Sequence, residues 1–384
     1  MSYRDIDISV PGKASVDVTK YVAIGSSTCA GYADNAVYHE AQITAYPNLL
    51  SQQFKLIGGG EFRQPLVDAS SVGIGASLNA RLKLLPVTDC AGVTSLAPQP
   101  AAAMGDLSIF ATPIGQQGPF NNISVPGLKS ITTVYPGYGD PDNGVGNYNP
   151  FFTRIAGNPQ TSSVLSDAAA QQPSFFSLSV GNDDVLAYAL SGGTQDAVTP
   201  VSGPAGFGFN GSVEAIVATL TAGNAKGVIL NVPDLNTLPF FTTIPYNGLV
   251  LDQASAAGLT AAYTPLGISF QEGANAFIIE DVEAPGSMRK INAGEMILLS
   301  LPQDSLKCAG WGSLKPIPDE YVLIESEINL IGTAITEYNN ILKAAANSKN
   351  LAFADINAFM SKAKTGFMYN GIGLNRQYVR REIF

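Results

Sequence analysis

The 384-residue chain sets 21 Lys and Arg against 31 Asp and Glu, a net charge of −10, and is 46% hydrophobic but only 14% charged. A chain this apolar buries enough surface to offset its ordering entropy, which excludes disorder as the dominant state. The acidic balance and the lack of a basic patch exclude nucleic-acid binding through phosphate neutralisation.

The length exceeds the roughly 250 to 300 residues of one ordinary core and predicts large insertions or a second small lobe. Met1 to Lys20 has no apolar stretch behind a basic start, so residues 1–20 read as an N-terminal extension and not as a signal peptide. On that reading the chain is either cytoplasmic or has lost an export signal. No window nears the roughly 18 to 20 apolar residues of a membrane span, so a soluble chain with no transmembrane segment is expected.

In chain order, Tyr21 to Ile24 reads as a short buried strand, Gly25 to Gly31 as a small-residue turn, and Ala41 to Phe54 as a helix with Pro47 at its start or at a kink. Phe175 to Val180 is a second buried strand, running into Gly181-Asn182-Asp183-Asp184 with helical Val185 to Leu190 behind it. Gly227 to Val232 is a third, ending at Pro233-Asp234, and Leu351 to Ala354 is a fourth, ending at Asp355. Ahead of the fourth, Pro318 to Asn347 carries Ile324, Ile328, Ile331, Ile335, Tyr338 and Leu342 on one helical stripe. Short apolar runs alternating with helical periods predict an α/β fold, and ligands of an open parallel sheet bind at the carboxyl ends of its strands. Two stretches, 86–173 and 239–316, are too long for simple connections and are expected to form a cap.

The composition holds one histidine, His39, so any imidazole chemistry within this chain must use it. His39 lies about twelve residues past Ser27 and reads as a rim or surface residue; adjacent Glu40 is poorly placed to orient its ring. Cys29, Cys90 and Cys308 lack metal-ligand spacing, leaving a Cys90–Cys308 disulfide and buried free thiols both open. Asp140-Pro141-Asp142-Asn143-Gly144 starts like a calcium loop but has glycine in fifth place and no later glutamate, so no metal site is expected. Gly58-Gly59-Gly60 and Gly73-Ile74-Gly75 lack the dinucleotide and P-loop patterns, and no cofactor is expected. The tyrosines and phenylalanines of 135–152 either line an acyl or sugar pocket or pack the insertion.

Three blocks stand in order at strand ends: Gly25-Ser26-Ser27-Thr28-Cys29-Ala30-Gly31, Asn122-Ile123-Ser124-Val125-Pro126-Gly127, and Gly181-Asn182-Asp183-Asp184. Together they resemble the SGNH hydrolases, also called the GDSL family of esterases and lipases, and the wider chain from about Tyr21 is similar to a bacterial, envelope-associated branch of that family. The resemblance implies a three-layer α/β/α sandwich with a flavodoxin-like parallel sheet over 21–384, interrupted by the two cap insertions. It implies Ser27 as nucleophile and an oxyanion hole from the amides of Ser27 and Gly127 with the side chain at 183. The ligand would be an acyl ester of a lipid or an acetylated carbohydrate, in the cell envelope or outside the cell, with the export signal missing from this chain.

Three departures qualify the resemblance. Ser26 replaces the family's Asp or Asn. Asp183 replaces the Asn that donates to the oxyanion, and an ionised carboxylate has no proton to give; losing one such donor costs roughly 10²–10³ in rate. The family's Asp-x-x-His block, which supplies the general base, is missing: Asp355-Ile356-Asn357-Ala358 has the spacing but ends in Ala, and the block is expected just after a stretch like Glu382-Ile383-Phe384. The sequence therefore reads as cut before its acid–base pair and closing helix. That predicts an inactive chain with an exposed apolar side, which a partner or a dimer would cover. The other expectation is a pseudoenzyme that keeps the pocket as a ligand-binding or structural surface module.

Overall fold

The computed structural model describes residues 16–375; most of the 1–20 extension and Glu382 to Phe384 fall outside the described residues. Strand β1 (Tyr21–Gly25) is buried along its whole length and passes directly into the single turn α1 (Ser27–Ala30). The expected helix over 41–54 is two helices, α2 (His39–Thr44) and α3 (Tyr46–Lys55). Ala45, at ψ 141°, breaks the run, and Pro47 occupies the first turn of α3, where its missing N–H costs nothing. A hairpin, β2 (Leu82–Thr88) with β3 (Thr94–Pro100), follows and is mostly exposed.

Helix α4 (Val164–Ala170) leads into β4 (Phe175–Ser179), and α5 (Asp183–Leu190) starts at the third block, two residues before the helix read from sequence. Next come α6 (Phe209–Thr221) and β5 (Lys226–Leu230). The striped helix is α7 (Glu325–Ser348), followed by β6 (Ala352–Ala354), α8 (Ile356–Thr365) and a terminal hairpin, β7 (Phe367–Tyr369) with β8 (Ile372–Leu374). Of the stripe, Ile331, Ile335, Tyr338 and Leu342 are buried, Ile328 is partly so, and Ile324 turns to a second cluster.

The fold is mixed α/β around a parallel sheet of four strands in the order β1-β4-β5-β6. Beyond β1 the second block runs alongside it: Ala23 N–H donates to Asn121, Ile123 N–H to Ala23 and Val125 N–H to Gly25. Alternation sends side chains to both faces of the sheet. Val22, Ile24, Phe176 and Leu178 join the main apolar cluster with α4, α6 and α7, where Phe209 stacks on Tyr338. On the other face Tyr21, Phe54 of α3 and Phe175 pack edge to face or tilted.

Of 86–173, the hairpin projects, whereas Ile109, Phe120, Phe152 and Val164 are part of the main core. Within 239–316 the strands are two or three residues long, and Phe277, Ile279, Ile291 and Ile297, joined by Ile317 just beyond, build a separate small core. Arg289 binds both oxygens of Glu295 at 2.7 Å there. A Cys90–Cys308 disulfide, Cα atoms 6.3 Å apart, ties the hairpin turn to this second core beside a Lys307–Asp89 ion pair; Cys29 is a buried free thiol. At the far edge, α8 buries no residue, and Phe359, Met368, Tyr369, Ile372 and Leu374 are exposed. Among the described residues, no helix is long and apolar enough to cross a membrane.

Candidate functional site

The carboxyl ends of the four parallel strands lie side by side, so the turns after β1, β4, β5 and β6 line one edge of the sheet. The first turn is tightly determined. Ser26 is buried and its carbonyl accepts from the N–H groups of Cys29 and Ala30, closing α1 at once and leaving Ser27 half-buried on the bend. A Cβ at Gly25 would meet the Cys29 sulfur at 2.3 Å, and Gly31, at φ 76°, would push one to 2.5 Å from the Gln42 Cα. Both glycines of the first block are therefore steric requirements. A buried polar chain fixes the turn to the sheet: the Cys29 thiol donates to the Tyr46 hydroxyl, which contacts Ser177 Oγ, itself 2.7 Å from the Tyr21 hydroxyl.

The second block is clasped to the first. Asn122 Nδ2 donates to the Cys29 carbonyl at 2.9 Å, while its Oδ1 accepts from Ser124 N–H. Gly127 is exposed and at φ 76°, and a Cβ there would meet only Asn149 Nδ2, at an ordinary 3.8 Å. The loop is held from the insertion: Asn149 Nδ2 donates to the Pro126 carbonyl at 2.8 Å and to the Tyr138 hydroxyl at 3.0 Å, and that hydroxyl donates to the Gly127 carbonyl. A cleft of about 820 Å³ opens here, lined by Gly127, Lys129, Tyr135, Tyr138, Asn147 and Tyr148 among others.

The third block supplies two adjacent buried carboxyls with different roles. Gly181, at φ 108°, admits no Cβ because Val232 Cγ2 is 2.5 Å from where it would sit. Asp184 is fully buried and accepts from Ser130 N–H at 2.8 Å and Ser130 Oγ at 2.6 Å, locking the segment after Gly127 to α5. Burial still pushes its pKa up. Asp183 is buried too, but its Oδ2 makes no hydrogen bond. Burial drives the Asp183 carboxyl up to about 6, and Asp184 adds to the rise; the Ser26 hydroxyl, Lys129 and the Ser27 N–H pull the other way. Three of the residues singled out from sequence thus converge: Ser27, Asp183 and, through the Asn122 and Ser130 clasps, the Gly127 loop.

The remaining candidates lie elsewhere. His39 sits at the first residue of α2 with Nδ1 2.9 Å from the Val67 carbonyl, and Glu40 pairs with Arg81 at 2.7 Å. Among the described residues no side chain hydrogen-bonds the Ser27 hydroxyl. Asp355 caps α8 through Ala358 N–H and accepts from Asn231 Nδ2, tying the ends of β5 and β6 together. Asp140 accepts from Asp142 N–H in a single 3₁₀ turn. Sequence reasoning missed Asn149 and Ser130, and it named Tyr138 only among the aromatics of 135–152, without its bond to the Gly127 loop. Each acts on a residue more than ten positions away, and a lone sequence carries no periodic signal for such contacts.

The chain matches no family model, no curated protein and no solved structure.

Proposed function

We propose that this chain carries the nucleophile and oxyanion half of a serine ester hydrolase of the SGNH type. Ser27 attacks the acyl carbon, the amides of Ser27 and Gly127 receive the oxyanion, and the acyl group belongs to a lipid or an acetylated carbohydrate. The observation that carries the reading is the convergence of three separate blocks at one end of a parallel sheet, with Ser27 on a steric bend and the Gly127 loop clasped beside it. With the second block counted as an edge strand, the sheet runs 2-1-3-4-5 in chain order with apolar packing on both faces, which supports the flavodoxin-like sandwich of that family. The family's base has no counterpart here, since His39 is held at Val67.

A fluorophosphonate probe tests this directly. Its phosphorus forms a bond to Ser27 Oγ, fluoride leaves and the serine proton passes to a buffer base. Labelling mapped to Ser27 and abolished by Ser27→Ala supports the reading; labelling spread over other residues, or unchanged in the variant, defeats it.

A second reading, a pseudoenzyme that binds an ester ligand without cleaving it, is favoured by one observation: a buried carboxyl occupies position 183, next to the Ser27 N–H. Ligand binding that survives Ser27→Ala, with no labelling of the native chain, would establish it.

A further inference from the structure

The hydrolase reading leaves the ester open between a lipid and an acetylated carbohydrate, and the chemistry of the cleft beside the site separates the two. This cleft of about 820 Å³ shares Gly127 with the candidate oxyanion hole and falls within the roughly 300–1,000 Å³ of pockets that take a drug-sized molecule. One wall is the segment 135–149, which is held in place by its own bonds: Gly137 N–H donates to the Ser162 carbonyl, Asn143 Nδ2 to the Gly137 carbonyl, Asn147 Nδ2 to the Asn143 carbonyl, and Thr153 Oγ1 to the Gly139 carbonyl. Those bonds leave the two asparagine carbonyls unused. Among the described residues no protein group donates to Oδ1 of Asn143 or Asn147, and neither the Tyr135 nor the Tyr148 hydroxyl has a protein partner. Lys129 is the one cation on the lining, and both oxygens of Asp196 hold its Nζ, at 2.8 and 2.7 Å.

A fatty acyl chain laid along this wall would strip water from the phenolic hydroxyls and amide oxygens and return no hydrogen bond, and polar groups covered without a partner are costly. A pyranose ring has the opposite chemistry. Its hydroxyls donate to amide oxygens and exchange hydrogen bonds with phenols, while its C–H faces pack on aromatic rings. With Lys129 neutralised by Asp196 in a chain of net charge −10, nothing on the lining favours a carboxylated or sulfated sugar. We propose that the cleft holds the rings of a neutral oligosaccharide through Tyr135, Asn143, Asn147 and Tyr148, so that the ester brought to Ser27 is an O-acetyl group on a glycan and not a fatty acyl ester. The link to Ser27 rests on the hydrolase reading above; binding of the sugar does not.

The test begins with an array of neutral and uronic-acid oligosaccharides, each printed with and without O-acetyl groups, and continues with titration of the tightest binder in solution. A neutral oligosaccharide is expected to bind the native chain. Tyr135→Ala and Asn147→Ala, both at exposed positions, should each weaken it about 5- to 10-fold with unchanged melting curves. Failure of every neutral sugar to bind overturns the proposal, and so does binding confined to uronic-acid sugars or left unchanged by both variants. In a second arm the same oligosaccharide, at saturation, should slow phosphonylation of Ser27 by the fluorophosphonate, and Tyr135→Ala should restore the rate at that sugar concentration. Labelling that the bound sugar does not slow overturns the link to Ser27; so does protection by monoacylglycerol micelles, relieved in Tyr135→Ala, where the sugar gives none. If the sugar binds through these residues but Ser27 is labelled in no sample, the hydrolase reading and the ester link fall together and the glycan site stands. If Ser27 is labelled but no sugar binds, the glycan site alone falls.

Discussion

Replacing Asp183 by Asn keeps the shape of the side chain and removes its charge, so the change isolates what ionisation of this one buried group costs the fold. A carboxyl that ionises at 3.8 when unfolded and at about 6 when folded holds its proton more tightly in the native state. Its penalty is absent below about pH 4, builds between pH 4 and 6, and is complete above, so the native chain loses stability as pH rises through that window. At 1.36 kcal/mol for each tenfold change in proton affinity, the loss is about 3 kcal/mol. Asp183 is almost fully buried, so solvent screening does little to reduce it. Asp183→Asn should match the native chain near pH 4 and exceed it by about 3 kcal/mol at pH 7.5. With an unfolding entropy of about 2.1 cal/mol/K per residue over 384 residues, that gap is about 4 °C in Tm. Denaturant melts of both proteins at half-unit steps from pH 4 to 8 measure the difference, in which the other titrating groups cancel. A gap that does not widen with pH would refute the reasoning, because it would mean that Asp183 is solvated or paired.

The neighbouring substitution should act in the opposite direction. Asp184→Asn leaves one acceptor oxygen facing two Ser130 donors and is expected to destabilise by roughly 1–3 kcal/mol at neutral pH in the same melts. Gly31→Ala forces a Cβ against the Gln42 backbone at positive φ, and at least about 2 kcal/mol of stability should be lost, together with Ser27 labelling. Asn122→Ala removes the clasp on the Cys29 carbonyl, which should cost about 1–3 kcal/mol and slow phosphonylation by more than it lowers stability at the assay temperature. Paired Cys90→Ser and Cys308→Ser should cost roughly 2–4 kcal/mol, and dithiothreitol should lower the Tm of the native chain but not of the double variant.

The strands and the blocks that follow them were readable because short apolar runs and obligatory glycines are local signals. Gly25, Gly31 and Gly181 are set by contacts at 2.3–2.5 Å that a Cβ would make, which is why glycine stands at each of these turns. The ionisation of Asp183 was not readable. In the sequence it reads as an ordinary carboxylate, and it is chiefly the burial that the fold imposes that raises its pKa. Within 41–54 the reading of Pro47 at a helix start or a kink agrees with its place in the first turn of α3; the break itself falls at Ala45, a residue type that marks no helix end. The length and the strand-like alternation around 275–280 and 295–301 point to structure in the second insertion, but which residues close into a separate core was not readable, since strands of two or three residues, such as Met296–Ile297, show no full period.

The Cys90–Cys308 bond joins positions 218 residues apart and so closes most of the chain into one covalent ring. Both middle strands of the sheet, β4 and β5, lie inside it, as do the protruding Val145 and Val282, which are 97% and 84% exposed. A protease that nicks either loop opens the ring without dividing the molecule, and the two fragments migrate together on a gel until a thiol is added. Backbone cleavage at these sites converts the ring to a branched chain of unchanged composition, with the core still filled by both pieces.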